Sequence, residues 1–123
     1  MARQKLGQHF LIKGSVLERI ARAACPAGCG LVIEIGPGRG ALTALLLARA
    51  SRVIAIEIDP FLANHLRAKY AGLEVIEGDV LAADLAQWGP AVIAGNLPYY
   101  ITSPILAKLA DAPFLRAVFL VQK

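Results

Sequence analysis

Three glycines, two acids and one asparagine carry most of the chemistry this sequence can offer. Gly36, Gly38 and Gly40 stand in Gly36-Pro-Gly-Arg-Gly40, directly after the apolar run Leu31-Val-Ile-Glu-Ile35. Without Cβ atoms they permit a tight turn and let a ligand approach main-chain amides at the start of a helix. Glu57 lies 21 residues after Gly36, near the end of a second apolar run. A carboxylate at that place can accept hydrogen bonds from both hydroxyls of a ribose. Asp79 closes a third run, where it can accept from the amino group of an adenine. Together they point to an adenosine-containing cofactor. Each also has a plainer reading alone: glycines that only turn the chain, or a carboxylate that is solvated or caps a helix. Gly36-x-Gly38-x-x-Ala41 satisfies the dinucleotide fingerprint as well, so a nicotinamide-dependent dehydrogenase stays open at this point. After a fourth run comes Asn96-Leu-Pro-Tyr99, which on its own can be a strand-ending turn with an anchoring tyrosine.

The elements that must position these residues alternate in type. Ser15 and Glu18 have the spacing of a capping box, and Leu17, Ile20, Ala21 and Ala24 then form one apolar face before Pro26-Ala-Gly28. Leu31–Ile35 reads as a buried strand, and Ala41–Ala50 as a helix apolar nearly all round. Arg52–Ile58 is a second strand; Asp59 then caps a helix that has Pro60 at its first position and runs to about Ala71. A third strand covers Leu73–Ile76, a short helical segment Leu81–Gln87, and a fourth strand Ala91–Ala94. Ser103-Pro104 opens another helix, and Arg116–Val121 is a fifth strand. His65 on its helix and Trp88 beside Gly89-Pro90 read as packing residues. Strands separated by helices of about ten residues imply βαβ units and a parallel sheet. The fold class is α/β, open and doubly wound, and ligands in such sheets sit beyond the carboxyl ends of the strands.

Composition narrows the class further. With 57% hydrophobic and 18% charged residues among 123, the chain is no disordered segment. Mean hydropathy is +0.57, high for a small domain. The net charge of +4 is concentrated: residues 1–24 hold Arg3, Lys5, Lys13, Arg19 and Arg22 against Glu18 alone, and the rest balances. The basic arm interleaves this charge with Phe10, Gln4 and Gln8, which suits an RNA backbone through counterion release, though a solvated tail has the same composition. No apolar stretch reaches the length of a membrane span, and Phe10-Leu-Ile12 is too short for a secretory core. Cys25 and Cys29 lack further ligands at zinc spacing, so no metal is expected; free thiols in a reducing cytosol are.

Asn96-Leu97-Pro98-Tyr99 resembles the signature of methyltransferases acting on the exocyclic nitrogen of adenine. Combined with Gly7-Gln-His-Phe-Leu11 and Glu34-Ile-Gly-Pro-Gly-Arg-Gly-Ala-Leu-Thr43, it resembles the small-subunit rRNA adenine N6-dimethyltransferases, over about Gln4 to Lys123. The resemblance implies a Rossmann-like S-adenosylmethionine-dependent methyltransferase fold and a cytoplasmic enzyme that dimethylates adjacent adenines of small-subunit rRNA in a pre-ribosomal subunit. It implies cofactor contacts at His9, Leu11, Gly36, Gly38, Glu57, Asp79 and Asn96, and a catalytic loop of Asn96, Leu97, Pro98 and Tyr99. His9 stands where many relatives carry asparagine. The chemistry is coherent. The N6 lone pair is delocalised into the ring, and acceptors on its two N–H bonds, the Asn96 side-chain carbonyl and the Leu97 main-chain carbonyl, favour a more nucleophilic nitrogen. Pro98 stiffens the loop and Tyr99 can stack on an extruded base. In-line displacement needs positioning more than a general base. The Asn-Leu-Pro-Tyr loop disfavours the dehydrogenase; a non-catalytic cofactor- or RNA-binding module of the same fold remains the alternative.

Relatives continue with further strands and a small helical domain. The expected organisation is therefore a basic arm over residues 1–14 and the N-terminal part of a catalytic domain over residues 15–123, truncated after the fifth strand. An apolar edge at Val118-Phe-Leu-Val121 then invites self-association.

Overall fold

The apolar runs assemble into a five-stranded, all-parallel sheet in a computed structural model that describes residues 13–122. His9, Leu11 and the basic arm up to residue 12 lie outside the described residues. In chain order the elements are α1 (Gly14–Ala24), β1 (Cys29–Ile35), α2 (Ala41–Leu47), β2 (Ala50–Glu57), α3 (Pro60–Lys69) and β3 (Glu74–Glu77). Two 3-10 turns, Val80–Ala82 and Leu85–Trp88, lead into β4 (Ala91–Pro98), α4 (Tyr99–Leu109) and β5 (Phe114–Gln122). The strand order is β3-β2-β1-β4-β5. The chain steps outward from β1 to β3, then returns to the other side of β1. The order therefore reverses between β1 and β4, which opens a crevice beyond their carboxyl ends.

Both faces of the sheet are covered, and strand alternation sorts the side chains between them. On one face Val32, Val53, Ala55, Val92 and Ala94 pack with Leu17 and Ile20 of α1, Leu42 and Leu46 of α2, and Leu66 of α3. On the other, Ile33, Ile35, Ile54, Ile56, Ile93 and Leu97 pack with Val80, Leu85 and with Ile105 and Leu109 of α4. The central strands are apolar on both sides for this reason. Among the described residues no helix is long and apolar enough to cross a membrane.

Several boundaries differ from the sequence expectation, each for a local reason. α1 begins at Gly14, with Lys13 at its N-cap and no side-chain cap. The Ser15/Glu18 capping box does not form, because Glu18 turns toward Arg22 at 3.8 Å and Arg49 at 3.6 Å. α2 ends at Leu47, since Ala50 already pairs with Cys29 across β1 and β2, and only one face of it is buried. Asp59 caps α3 as expected, its carboxylate accepting from Phe61 N–H at 2.8 Å. The helical segment near residue 81 resolves into 3-10 turns capped by Asp79 and Asp84. β4 runs on through Asn96-Leu97-Pro98, because β5 pairs with it as far as Pro98 opposite Gln122. The motif expected in a loop is thus the end of a strand. α4 starts at Tyr99, and Pro104 lies inside it rather than opening it. Cys25 and Cys29 are bonded to each other rather than free. Cys25 closes α1 and Cys29 opens β1 across a short reversal, which brings their Cα atoms to 5.3 Å.

Gly95 sets the spacing at the crevice. A Cβ on it would lie 2.8 Å from the Ile35 carbonyl oxygen and 3.3 Å from Cδ2 of Leu97. Gly95→Ala is expected to destabilise the fold by about 1–3 kcal/mol. Gly72→Ala, which meets nothing within 4 Å, should stay within about 0.5 kcal/mol. Urea unfolding of the two variants checks the contrast; equal stabilities would mean that β1 and β4 are not in close contact there.

Candidate functional site

Sheet register gathers the marked residues at one end of the sheet. Ile35 pairs with Ile56 on one side and Gly95 on the other, so the next residue of each strand path, Gly36, Glu57 and Asn96, falls in one transverse row. Strands spaced about 4.8 Å apart put Asn96 about 10 Å from Glu57 across Gly36. Their neighbours two residues back, Ala55 and Ala94, belong to the α1–α3 face, and strand alternation gives Glu57 and Asn96 the same side. Glu57 also pairs with Glu77 on β3, and Gly78 donates to the Glu57 carbonyl at 2.9 Å. Asp79 therefore leaves β3 at the same end.

The glycine loop is held from β2. Gly36, Gly38 and Gly40 have φ of 64°, 60° and 93°, a region that side chains bearing a Cβ rarely occupy. Glu57 Oε1 accepts from Gly38 N–H at 3.1 Å, and Oε2 accepts from Asp59 N–H at 2.9 Å. One carboxylate thus ties the loop after β1 to the turn after β2. Glu57 is only 6% exposed, and each of its oxygens retains a lone pair for a further donor. Asp79 is exposed, with Oδ1 accepting from Leu81 N–H at 3.0 Å, so the capping role open to it in the sequence is realised. Exposed apolar side chains stand beside both acids: Ile58 directly after Glu57, and Leu81 two residues after Asp79.

At the other side of the crevice, Asn96 Oδ1 is buried and has no hydrogen-bond partner among the described residues. A buried carbonyl left in that state costs about 1–3 kcal/mol. The Leu97 side chain is sunk in the α4-side core. Pro98 ends the strand, its carbonyl accepting from Thr102 Oγ1 at 3.2 Å. Tyr99 is 63% exposed at the first position of α4, and Tyr100 is 75% exposed beside it. Gly36, Gly38, Glu57, Asp79 and Asn96–Tyr99 are thus brought to one end of the sheet, while His9 and Leu11 lie outside the described residues. Among those residues no group of three or more His, Cys, Asp or Glu side chains is placed to hold a metal.

Sequence reasoning assigned no role to Glu34 or Thr43. Glu34 sits two rows below Glu57 on the same face, fully buried between Ala55 and Ala94, and its Oε1 accepts from Thr43 Oγ1 on α2. A lone glutamate inside Leu31-Val-Ile-Glu-Ile35, matched by a lone threonine among the leucines of α2, was the signal available. Burial pushes the Glu34 carboxyl up to about 8; the Thr43 hydrogen bond opposes this and the charge of Glu57 adds to it.

An open doubly wound α/β sheet, with a glycine loop and a buried amide carbonyl at its switch point, defines a nucleotide-type binding fold. The chain belongs to the ribosomal RNA adenine dimethylase family, whose model matches residues 1–123. It is 48% identical over 114 residues to the ribosomal RNA small subunit methyltransferase A of Bordetella avium, covering 90% of this chain and 44% of the relative. Its structure is similar to that of the 23S rRNA methyltransferase ErmE, with a TM-score of 0.82, 36% identity and coverage of 92% and 48%. It also resembles a dimethyladenosine transferase from Plasmodium falciparum, with a TM-score of 0.74, 33% identity and coverage of 90% and 42%. The chain spans slightly under half the length of these relatives.

An acid whose folded value exceeds its unfolded one holds its proton more tightly in the native state. Through Glu34, stability should therefore fall as pH rises from 4.5, its ordinary value, to about 8, with a slope of up to about 1.4 kcal/mol per pH unit. Below 4.5 both states are protonated and the contribution is flat. Glu34→Gln keeps an acceptor for Thr43 and removes the proton, so its stability profile should be flatter over that window. Parallel profiles in urea titrations from pH 4 to 9 would contradict this.

Proposed function

We propose that this chain carries the cofactor-binding and amine-recognition part of an S-adenosylmethionine-dependent rRNA adenine N6-dimethyltransferase. The observation that supports it most is the Asn96 carbonyl, buried with no partner among the described residues at the switch point and in one row with Gly36 and Glu57. Such an atom fits an amine that arrives with the substrate. On this reading residues 15–123 form the N-terminal part of a catalytic domain, preceded by a basic arm over residues 1–14. The coverage of just under half of each relative is consistent with it.

The residues present fit an adenosine-bearing cofactor. Glu57 has acceptor capacity left for ribose hydroxyls beside its two main-chain bonds. Asp79, whose second oxygen is not used in capping Leu81 N–H, would accept from an adenine amine, and the exposed Ile58 and Leu81 would offer the base apolar surface. Gly36 and Gly38 let the cofactor lie against the main chain, and the resemblance assigns His9 and Leu11 to the same set of cofactor contacts. S-adenosylmethionine, when bound, supplies a methyl group on a positively charged sulfur. Asn96 Oδ1 and the Leu97 carbonyl accept the two N–H bonds of the target adenine and orient its lone pair. Tyr99, exposed at the start of α4, stacks on the flipped base. Pro98 holds the three in fixed relation. No protein base is needed, because the proton can leave after methyl transfer. The substrate is small-subunit rRNA in a pre-ribosomal particle, and the site of action is the cytoplasm. The outer edge of β5 pairs with no further strand among the described residues, and a second copy can add to it there.

Calorimetry with S-adenosylmethionine, S-adenosylhomocysteine and NAD should show uptake of the first two and not of NAD; heat with NAD alone would exclude the methyltransferase reading. With undermethylated small ribosomal subunits, Asn96→Ala should lower methyl transfer by about a hundredfold or more. Unchanged transfer would remove Asn96 from the mechanism, and cofactor uptake by the wild type without any transfer would leave a binding module. Sedimentation should show association growing with concentration, and a monomer at all concentrations would count against pairing through β5.

A further inference from the structure

Tyr70 belongs to none of the motifs that mark the site, yet its side chain reaches the glycine loop from thirty residues away. It closes α3, its own N–H donating to the Leu66 carbonyl at 2.9 Å. Its hydroxyl donates to the Gly40 carbonyl at 3.0 Å. That carbonyl also accepts Ala44 N–H at 3.0 Å, the bond that opens α2. The ring fills the space beside Gly40, where a Cβ would lie 2.7 Å from Cε2 of Tyr70 and 3.0 Å from Cδ2 of Leu66. The Lys69 ammonium lies 5.3 Å from the ring centroid.

Gly40 is thus gripped by both its carbonyl and its missing side chain, while Gly38 is gripped through its N–H by Glu57. The loop is anchored at two points, one on β2 and one on α3. We propose that Tyr70 is a positioning residue for the cofactor: through Gly40 it holds the loop between β1 and α2 in its ligand-ready conformation. The inference rests on the reading of that loop as the cofactor site. Tyr70 itself need not touch the ligand. A loop with φ above zero at three positions has many alternatives once released, and a ligand that selects one of them binds more weakly by the fraction lost.

The test compares the wild-type chain with Tyr70→Phe, which keeps the ring and removes only the donor. Two measurements are made: calorimetric titration with S-adenosylhomocysteine, and amide hydrogen exchange of the ligand-free proteins. Tyr70→Phe should bind roughly three- to tenfold more weakly, the size of one net hydrogen bond. The Gly40 and Ala44 amides should exchange faster, with the amides of β1 and β2 close to wild type. Unchanged affinity with unchanged exchange overturns the proposal, as does a lowered thermal midpoint with wild-type affinity, which would make Tyr70 only a packing residue. A wild-type chain that takes up no S-adenosylhomocysteine overturns the cofactor reading itself, an outcome separate from any difference between the two proteins.

Discussion

Two hydrogen bonds to one buried carboxylate organise the end of this sheet. Glu57 accepts from Gly38 and from Asp59, so the loop after β1 and the turn after β2 cannot move independently. Asp59 in turn caps α3 through its own carboxylate, and α3 ends at Tyr70, which returns to Gly40. The chain of contacts closes on itself, from β2 through α3 and back to the loop. Charge-assisted bonds of this kind are stronger than neutral ones, and burial shields them from water and salt. A glycine loop that would otherwise sample many conformations is held in one with positive φ at each glycine.

The sheet sets the other half of the arrangement. Strand order reverses between β1 and β4, and Gly95 allows the two strands to approach where a Cβ would collide with Ile35. β5 extends the pairing of β4 to its last residue, and this holds Asn96 half-buried, with its Oδ1 shielded from solvent, in the row of Gly36 and Glu57. Glu34 sits two rows below, its burial eased by Thr43 and by a carboxyl that keeps its proton up to about pH 8. Glu34 and Asn96, two polar side chains on the same face, thus have opposite fates. Glu34 is satisfied within the protein, whereas Asn96 Oδ1 has no partner among the described residues.

Much of this was legible in the sequence because the fold obeys short-range rules. Apolar runs of β-branched residues marked the strands, Asp59-Pro60 marked the start of α3, and the glycines and acids fell after the strands that the alternation required. The extent of β4 was not legible. Asn96-Leu-Pro-Tyr reads as a turn by local chemistry, and only pairing with a strand some twenty residues later keeps it extended. The Ser15/Glu18 spacing suggested a cap that long-range attraction of Glu18 to Arg49 removes. Cys25 and Cys29 are bonded because the turn between α1 and β1 places them together, a geometry that spacing alone did not reveal. Tyr70 escaped notice because its partner lies thirty residues away and nothing beside it in the chain announces the contact, whereas the lone Glu34 and Thr43 in apolar runs signalled buried polar groups without naming each other as partners.

A crystal structure of the chain with S-adenosylhomocysteine bound tests most directly whether this end of the sheet is a cofactor site. The expected result has the ribose hydroxyls on Glu57, with its bond to Gly38 retained, and the thioether sulfur turned toward Asn96. A ligand bound elsewhere, or one that leaves Glu57 bonded only to Gly38 and Asp59, would contradict it.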